Sequence, residues 1–166
     1  RVKFNRISSF LFHMVLRCKI NSDTMEFDQI GVGKMQMKSL DRSTCLDVDT
    51  IHPESLDEME NISERAYCIA QGSGISYVPA SFAEDGTSIS MAAFNKILSF
   101  DERALILEVE AGISLGEIYQ FLVEYELCLP VQPGHPEISL GGCIAFNCHG
   151  KNQVKEGYFC DHVEEI

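Results

Sequence analysis

Pro133-Gly134-His135-Pro136-Glu137-Ile138-Ser139-Leu140-Gly141-Gly142-Cys143-Ile144-Ala145-Phe146-Asn147-Cys148-His149-Gly150-Lys151-Asn152 is the stretch on which the reading of this chain turns. Pro133-Gly134 bends the backbone, and Ser139 is placed to cap a short helix running to about Asn147. Gly141 and Gly142 then fall in the first helical turn, which carries free N–H groups and the positive end of the helix dipole. Without a Cβ, those positions let an anionic group approach the main chain closely. The same two glycines also suit close packing of a helix against a neighbouring strand, and the pattern supports both readings equally.

A second loop of the same character lies upstream at Gly72-Ser73-Gly74-Ile75-Ser76-Tyr77. A strand that ends here presents successive N–H groups as an anion-binding concavity, with serine hydroxyls as further donors. For an isolated Gly-x-Gly, a plain glycine-rich turn is the commoner explanation. The dinucleotide fingerprint is excluded, because no helix opens directly after the loop. The two loops together point to an anionic ligand held between two backbone walls.

Composition limits the partners. At 166 residues, with 45% hydrophobic and 23% charged residues, the chain is that of a folded domain. It is long enough to bury roughly 70% of its unfolded surface. The net charge of −12 argues against nucleic acid and anionic membranes as partners. Residues 1–20 hold Arg1, Lys3, Arg6, Arg17 and Lys19 and no acid, so the rest of the chain is more acidic still. A phosphate would have to be held by local N–H groups against the overall field. The seven cysteines are odd in number and form no C-x-x-C pair, which predicts a reducing compartment, the cytoplasm. The apolar run Phe10–Leu16 is shorter than the roughly 20 residues of a membrane span.

Residues 1–45 show no sustained period and form a poorly defined N-terminal segment; the legible domain covers 46–166. Ser55-x-x-Glu58 reads as a capping box opening a helix over 55–64, with Leu56, Met59 and Ile62 as its apolar stripe. Ala66–Ala70 and Thr87–Met91 read as strands. Lys96–Phe100 and Ala104–Glu110 form a hairpin across Asp101-Glu102-Arg103, and Leu127–Val131 is a further short strand. Ser114-x-x-Glu117 starts a second helix with Leu115, Ile118, Tyr119 and Leu122 on one face. Short strands mixed with modest helices define an α+β fold.

His149 and Lys151, beside the proposed anion site, are the candidate catalytic residues. By residue type alone, a satisfied histidine and a solvated lysine are the ordinary alternatives. Cys143, Cys148, His149, Cys160 and His162 lack the paired spacing of structural zinc sites, so no metal is assigned. No G-x-S-x-G elbow is present.

With both loops in place, the chain resembles the FAD-binding PCMH-type domain of the vanillyl-alcohol-oxidase flavoprotein superfamily. It is most similar to decaprenylphosphoryl-ribose 2-epimerase oxidase subunits and to aldonolactone and alditol oxidases. The likeness runs over residues 28–166, through Pro53–Glu58, Gly72-x-Gly74-x-Ser76-Tyr77, Glu110-Ala111-Gly112 and Leu129-Pro130-Val131-x-Pro133-Gly134. It continues through Leu140-Gly141-Gly142-x-Ile144-Ala145, His149–Asn152, Gly157-x-Phe159 and His162-Val163.

The resemblance implies that Ala70, Gln71, Gly72, Ser73, Gly74, Ile75, Ser76, Tyr77, Val78, Pro79 and Ala80 wrap the diphosphate and ribose of FAD. It implies that Gly134, Ser139, Leu140, Gly141 and Gly142 form the second wall. Phe146, Asn147, Cys148 and His149 would lie near the flavin, and Lys151 on its substrate side. It further implies hydride transfer from a hydroxyl-bearing carbon of a sugar, sugar lactone or polyol to flavin N5, with the electron acceptor left open. Members that attach flavin through histidine carry that residue where this chain has Ile75, so FAD is expected to be non-covalent. The chain stops at Ile166, short of the family's remaining domains. It is therefore expected to be an N-terminal part, inactive alone, or else a truncated non-catalytic nucleotide-binding or assembly module.

Overall fold

The fold is that of a computed structural model, which describes residues 1–3, 5–6, 32–63, 68–82 and 84–166. The apolar run Phe10–Leu16 and the first two residues of the expected strand Ala66–Ala70 lie outside the described residues.

At the N-terminus, β1 (Val2–Lys3) and β2 (Asn5–Arg6) are short strands recruited by partners far along the chain. Then β3 (Val32–Lys38) and β4 (Cys45–Ile51) form an antiparallel hairpin in continuous register, from Val32 opposite Ile51 to Lys38 opposite Cys45. Sequence reading assigns no element to residues 32–38. The alternation is nonetheless present: Met37 is buried and Met35 half-buried, while Lys34, Gln36 and Lys38 face solvent.

Helix α1 (Leu56–Ser63) opens as expected. Ser55 Oγ accepts from the Glu58 amide at 3.3 Å, and the Glu58 carboxylate accepts from the Glu54 amide at 2.8 Å. Ile62 is buried against Ile51 and Ile89 with Met59 beside them, but Leu56, in the first turn, stays exposed. Strands β5 (Cys68–Gln71) and β6 (Thr87–Ser90) complete a four-stranded sheet of order β3-β4-β6-β5, in which β6 runs parallel to both neighbours. The glycine loop therefore leaves the C-terminal end of a parallel strand.

The second half is built around one apolar core. Strands β7 (Ile97–Asp101) and β8 (Ile106–Val109) pair antiparallel, with β1 on the far side of β8. Their turn falls at Glu102–Leu105, a little later than expected. Asp101 Oδ1 accepts from the Arg103 and Ala104 amides, both at 2.9 Å, and Leu105 takes a left-handed φ of 57° to close the turn.

Helix α2 (Leu115–Val123) carries the full capping box. Ser114 Oγ accepts from the Glu117 amide at 3.2 Å, and the Glu117 carboxylate accepts from the Ser114 amide at 2.9 Å. Its Leu115, Ile118 and Leu122 are buried with Leu107, Leu127, Leu129, Val131, Leu140, Cys143 and Phe159. Each such aliphatic side chain contributes roughly 1.5–3 kcal/mol on burial. Strand β9 (Leu127–Cys128) pairs with β2 and is shorter than the expected Leu127–Val131. Pro130 and Pro133 offer no N–H to a ladder, although Leu129 and Val131 remain core residues. Helices α3 (Leu140–Ala145) and α4 (Gln153–Glu156) and a 3-10 turn (Phe159–His162) follow.

Gly112 locks the two halves together. Its amide donates to the Phe94 carbonyl at 2.7 Å, and a Cβ there would collide with the carbonyl of Met91, just beyond β6. This seam brings the two glycine stretches to one place.

Candidate functional site

The upstream loop starts where β5 ends. The Gln71 carbonyl accepts from the Met91 amide at 2.9 Å, which fixes the last rung of the sheet. Beyond it the chain enters no further ladder. Gly74 adopts a left-handed φ of 66°, the conformation that turns successive amides to one side. Among the described residues, the amides of Ser73, Gly74, Ile75, Ser76 and Tyr77 donate to no protein acceptor. Gly72, Ser73, Tyr77, Val78 and Pro79 are exposed, and Gly74, Ile75, Ser76 and Ala80 are half-buried. A run of unengaged amides on a partly exposed loop is a ready donor set for an anion. Gln71 is a different case: its side chain is buried, and its Nε2 donates to Met37 Sδ at 3.2 Å.

The downstream stretch is wired into the protein. Segments 111–116 and 136–141 lie antiparallel, with Ser114 opposite Ser139. Leu115 donates to the Ile138 carbonyl and Leu140 to that of Ile113, at 2.9 and 2.8 Å. The Gly141 amide donates to the Ala111 carbonyl at 2.8 Å, and the Gly142 amide to Ser139 Oγ at 3.3 Å. Sequence reading assigns free N–H groups to this first turn, and the structure corrects that. The amides of Leu140, Gly141 and Gly142 are all engaged, two by the carbonyls of Ile113 and Ala111 in the facing segment and one by the cap. A Cβ on Gly141 would stand 3.1 Å from both the Cβ and the carbonyl oxygen of Ala111. Gly141 is there for close packing. Gly134 is the opposite, since a Cβ at that position meets nothing within 4 Å.

The two stretches touch. A Cβ on Gly72 would run into Ser139 Oγ and stand 3.0 Å from Ser139 Cβ, so the absence of a side chain at 72 lets the loop lie against the cap of α3. Ser139 itself is buried. The loop that carries the open amides thus lies directly against the capped start of α3.

The His-Gly-Lys-Asn run alternates. Gly150 is buried with no room for a Cβ, which would come within 2.6 Å of the Gln132 carbonyl, and Asn152 Nδ2 donates to the Pro130 carbonyl at 2.7 Å. His149 and Lys151, between and beside these anchors, are exposed. The His149 ring stands edge-on to Tyr158, with centroids 6.2 Å apart. Phe146 is exposed, and Asn147 takes a left-handed φ of 44° with its Oδ1 accepting from the Cys160 amide at 3.0 Å. Cys148 is half-buried, and its amide donates to the Cys143 carbonyl at 2.9 Å. Burial, with Cys148 and Cys160 close by, pushes the Cys143 thiol well above the usual range, so it is held neutral. Among the described residues, no group of His, Cys, Asp or Glu is arranged to hold a metal. No described helix is long and apolar enough to cross a membrane.

Comparison with known proteins bears on the family. The family model described as an FAD binding domain matches residues 50–166. Decaprenylphosphoryl-beta-D-ribose oxidase of Mycolicibacterium smegmatis is 36% identical over 98 residues, 59% of this chain and 21% of that protein. A D-lactate dehydrogenase of Anaerostipes hadrus is 32% identical over 81 residues, 49% of this chain and 17% of that protein. The chain thus spans about a fifth of the length of these curated relatives. Among solved structures, alkyldihydroxyacetonephosphate synthase shares the fold with a TM-score of 0.62 at 24% identity, over 77% of this chain and 27% of that one.

Proposed function

The chain belongs to the FAD binding domain family, and from that membership we propose that it forms the diphosphate-holding part of an FAD-dependent oxidoreductase. The substrate class proposed is a sugar, sugar lactone or polyol, oxidised at a hydroxyl-bearing carbon. The observation that carries this reading is the run of amides from Ser73 to Tyr77 that have no acceptor among the described residues, lying where Gly72 abuts Ser139.

The residues fit the cofactor. A diphosphate needs several convergent donors and a backbone free of side-chain bulk. The loop offers both, in a chain whose net charge of −12 gives no general attraction to phosphate. Ala70 to Ala80 would face the diphosphate and ribose, and Gly134 with Ser139 to Gly142 would supply the opposing wall by shape. Hydride acceptance from the substrate C–H is the chemistry that FAD supplies when bound. Phe146 to His149 would lie along the flavin, and Lys151 would orient substrate. Ile75 has no nucleophilic atom, so the cofactor is held non-covalently. The sugar oxidase among the relatives supports the substrate class. The odd number of cysteines, with no C-x-x-C pair, is the basis for proposing a reducing, cytoplasmic setting.

The test is a titration of the purified chain with FAD, followed by visible absorbance and thermal unfolding. The expected result is a bound flavin spectrum and a raised melting temperature. A folded protein that stays colourless and gains no stability in excess FAD contradicts the reading. Anaerobic addition of sugar lactones, polyols or D-lactate then assigns the substrate by loss of flavin absorbance. Bound FAD that none of these reduces favours a nucleotide-binding module without turnover.

A further inference from the structure

The β3–β4 hairpin ends in a turn that completes its own hydrogen bonds. The Arg42 amide donates to the Ser39 carbonyl at 2.9 Å, and the Ser39 amide donates to the Thr44 carbonyl at 3.0 Å. Asp41 Oδ1 accepts from Ser39 Oγ, Ser43 Oγ and the Ser43 amide at 2.7, 2.8 and 3.0 Å. The Leu40 amide is not needed by the turn. It reaches across to the cofactor loop and donates to the Ser76 carbonyl at 2.9 Å.

Two further contacts join the same elements. The buried Gln71 amide group donates to Met37 Sδ of β3, and Gln71 Nε2 lies 3.2 Å from where a Cβ on Gly74 would sit. Phe82, just past the loop, is buried with Met37 and Val48 of the hairpin. The loop is thus supported from beneath at Gln71, at Ser76 and at Phe82. All three supports come from the hairpin, most of which precedes residue 50, where the family match begins.

We infer that the β3–β4 hairpin is a positioning element for the diphosphate loop, with the Leu40 N–H to Ser76 carbonyl bond as the contact that sets the direction of the open amides. The inference rests on the reading that Ser73–Tyr77 receive the FAD diphosphate. A glycine-bearing loop with its amides unpartnered loses conformational freedom when a ligand fixes it, and a loop already held in place loses less. One carbonyl tied down in the middle of the run restrains the peptide planes on both sides of it.

Leu40 permits a test, because its side chain is exposed and it occupies the second position of a β-turn, where proline is favoured. Leu40→Pro deletes the N–H and sets its ring Cδ against the Ser76 carbonyl, so it breaks the contact while suiting the turn, whereas Leu40→Ala trims the side chain and keeps the N–H. Affinity for FAD is read from quenching of flavin fluorescence, and folding from thermal unfolding without FAD. Leu40→Pro is expected to weaken FAD binding at least roughly threefold, from the lost hydrogen bond and the displaced carbonyl together, with Leu40→Ala unchanged. A Kd for Leu40→Pro equal to that of the unaltered chain overturns the inference while leaving the FAD site standing. Failure of the unaltered chain to bind FAD overturns the site reading and this inference with it.

Should Leu40→Pro lower the melting temperature, the unaltered protein decides the matter. FAD is expected to slow exchange of the Leu40 amide hydrogen, because a bond that favours binding is favoured by binding in return. An exchange rate indifferent to FAD contradicts the inference.

Discussion

The loop at Gly72–Ala80 and the stretch at Pro133–Asn152 look alike as strings of residues and behave oppositely as structure. In the first, Ser73 to Tyr77 leave their amides without protein acceptors among the described residues, on a partly exposed loop. In the second, Leu140, Gly141 and Gly142 have theirs engaged, and Leu140 and Cys143 sit in the core. Glycine serves both through the same property, the missing Cβ, but to different ends. At Gly74 it permits a left-handed backbone that aims amides at a ligand; at Gly141 it permits a helix to close on Ala111. The two walls meet at Gly72 and Ser139, and between the loop at Ser73–Tyr77 and the helical turn at Leu140–Gly142 it is the loop whose amides are open to an anion.

The sharpest way to break this contrast is to add bulk where the walls meet. Gly72→Val places branched atoms on Ser139, and FAD affinity is expected to fall about a hundredfold, some 2.7 kcal/mol, when titrated by fluorescence. Ser139 is buried and caps α3, so the melting temperature should fall as well, and affinity is to be read on the folded protein.

The converse change is Gly141→Ala. With Ala111 atoms at 3.1 Å, its cost falls on folding, about 1–2 kcal/mol in denaturant unfolding. The protein that remains folded should bind FAD with little change. A variant that keeps its stability but loses FAD would reverse the assignment of the two walls.

Tyr119→Phe sharpens the comparison from the core side. The Tyr119 hydroxyl is buried without a hydrogen-bond partner among the described residues. Its removal should raise stability by about 1 kcal/mol and leave FAD affinity alone.

The smallest effect expected is on pH dependence. Burial, with nearby cysteines, raises the phenol of Tyr119 and the thiol of Cys143 above their ordinary values of 10.0 and 9.0. The folded state therefore disfavours both anions. Their contribution is fully present below about pH 9 and declines as pH rises above it. Cys143→Val should flatten the alkaline fall in melting temperature. An equally steep fall in that variant would place the cause elsewhere.

Local signals were legible. Ser114 and Glu117 form the capping box that their spacing announces, Ser139 caps α3, and the loop after Gln71 is where the glycines put it. The β3 strand was also available, as the alternation from Lys34 to Lys38. Glycine is depleted in strands and methionine and lysine are not among the enriched types, so the period stands out little.

What could not be read was which amides remain open. Gly141 and Ser73 look equivalent until the carbonyls of Ala111 and Ile113 are known to lie beside the helix. That neighbour is supplied by tertiary folding across the 111–116 and 136–141 segments. Gly112 shows the same limit, since it reads as the end of a strand and serves as the point where the Met91 and Phe94 carbonyls press closest. Likewise, Gly150 and Asn152 are anchors to Gln132 and Pro130, and only the alternate residues His149 and Lys151 are exposed.

Amide hydrogen exchange, recorded residue by residue with and without FAD, tests the division of labour most directly. Without ligand, Ser73–Tyr77 should exchange quickly while Leu140–Gly142 are already slow; with FAD, the Ser73–Tyr77 amides should slow markedly. FAD that binds and leaves those amides as fast as before would contradict the account.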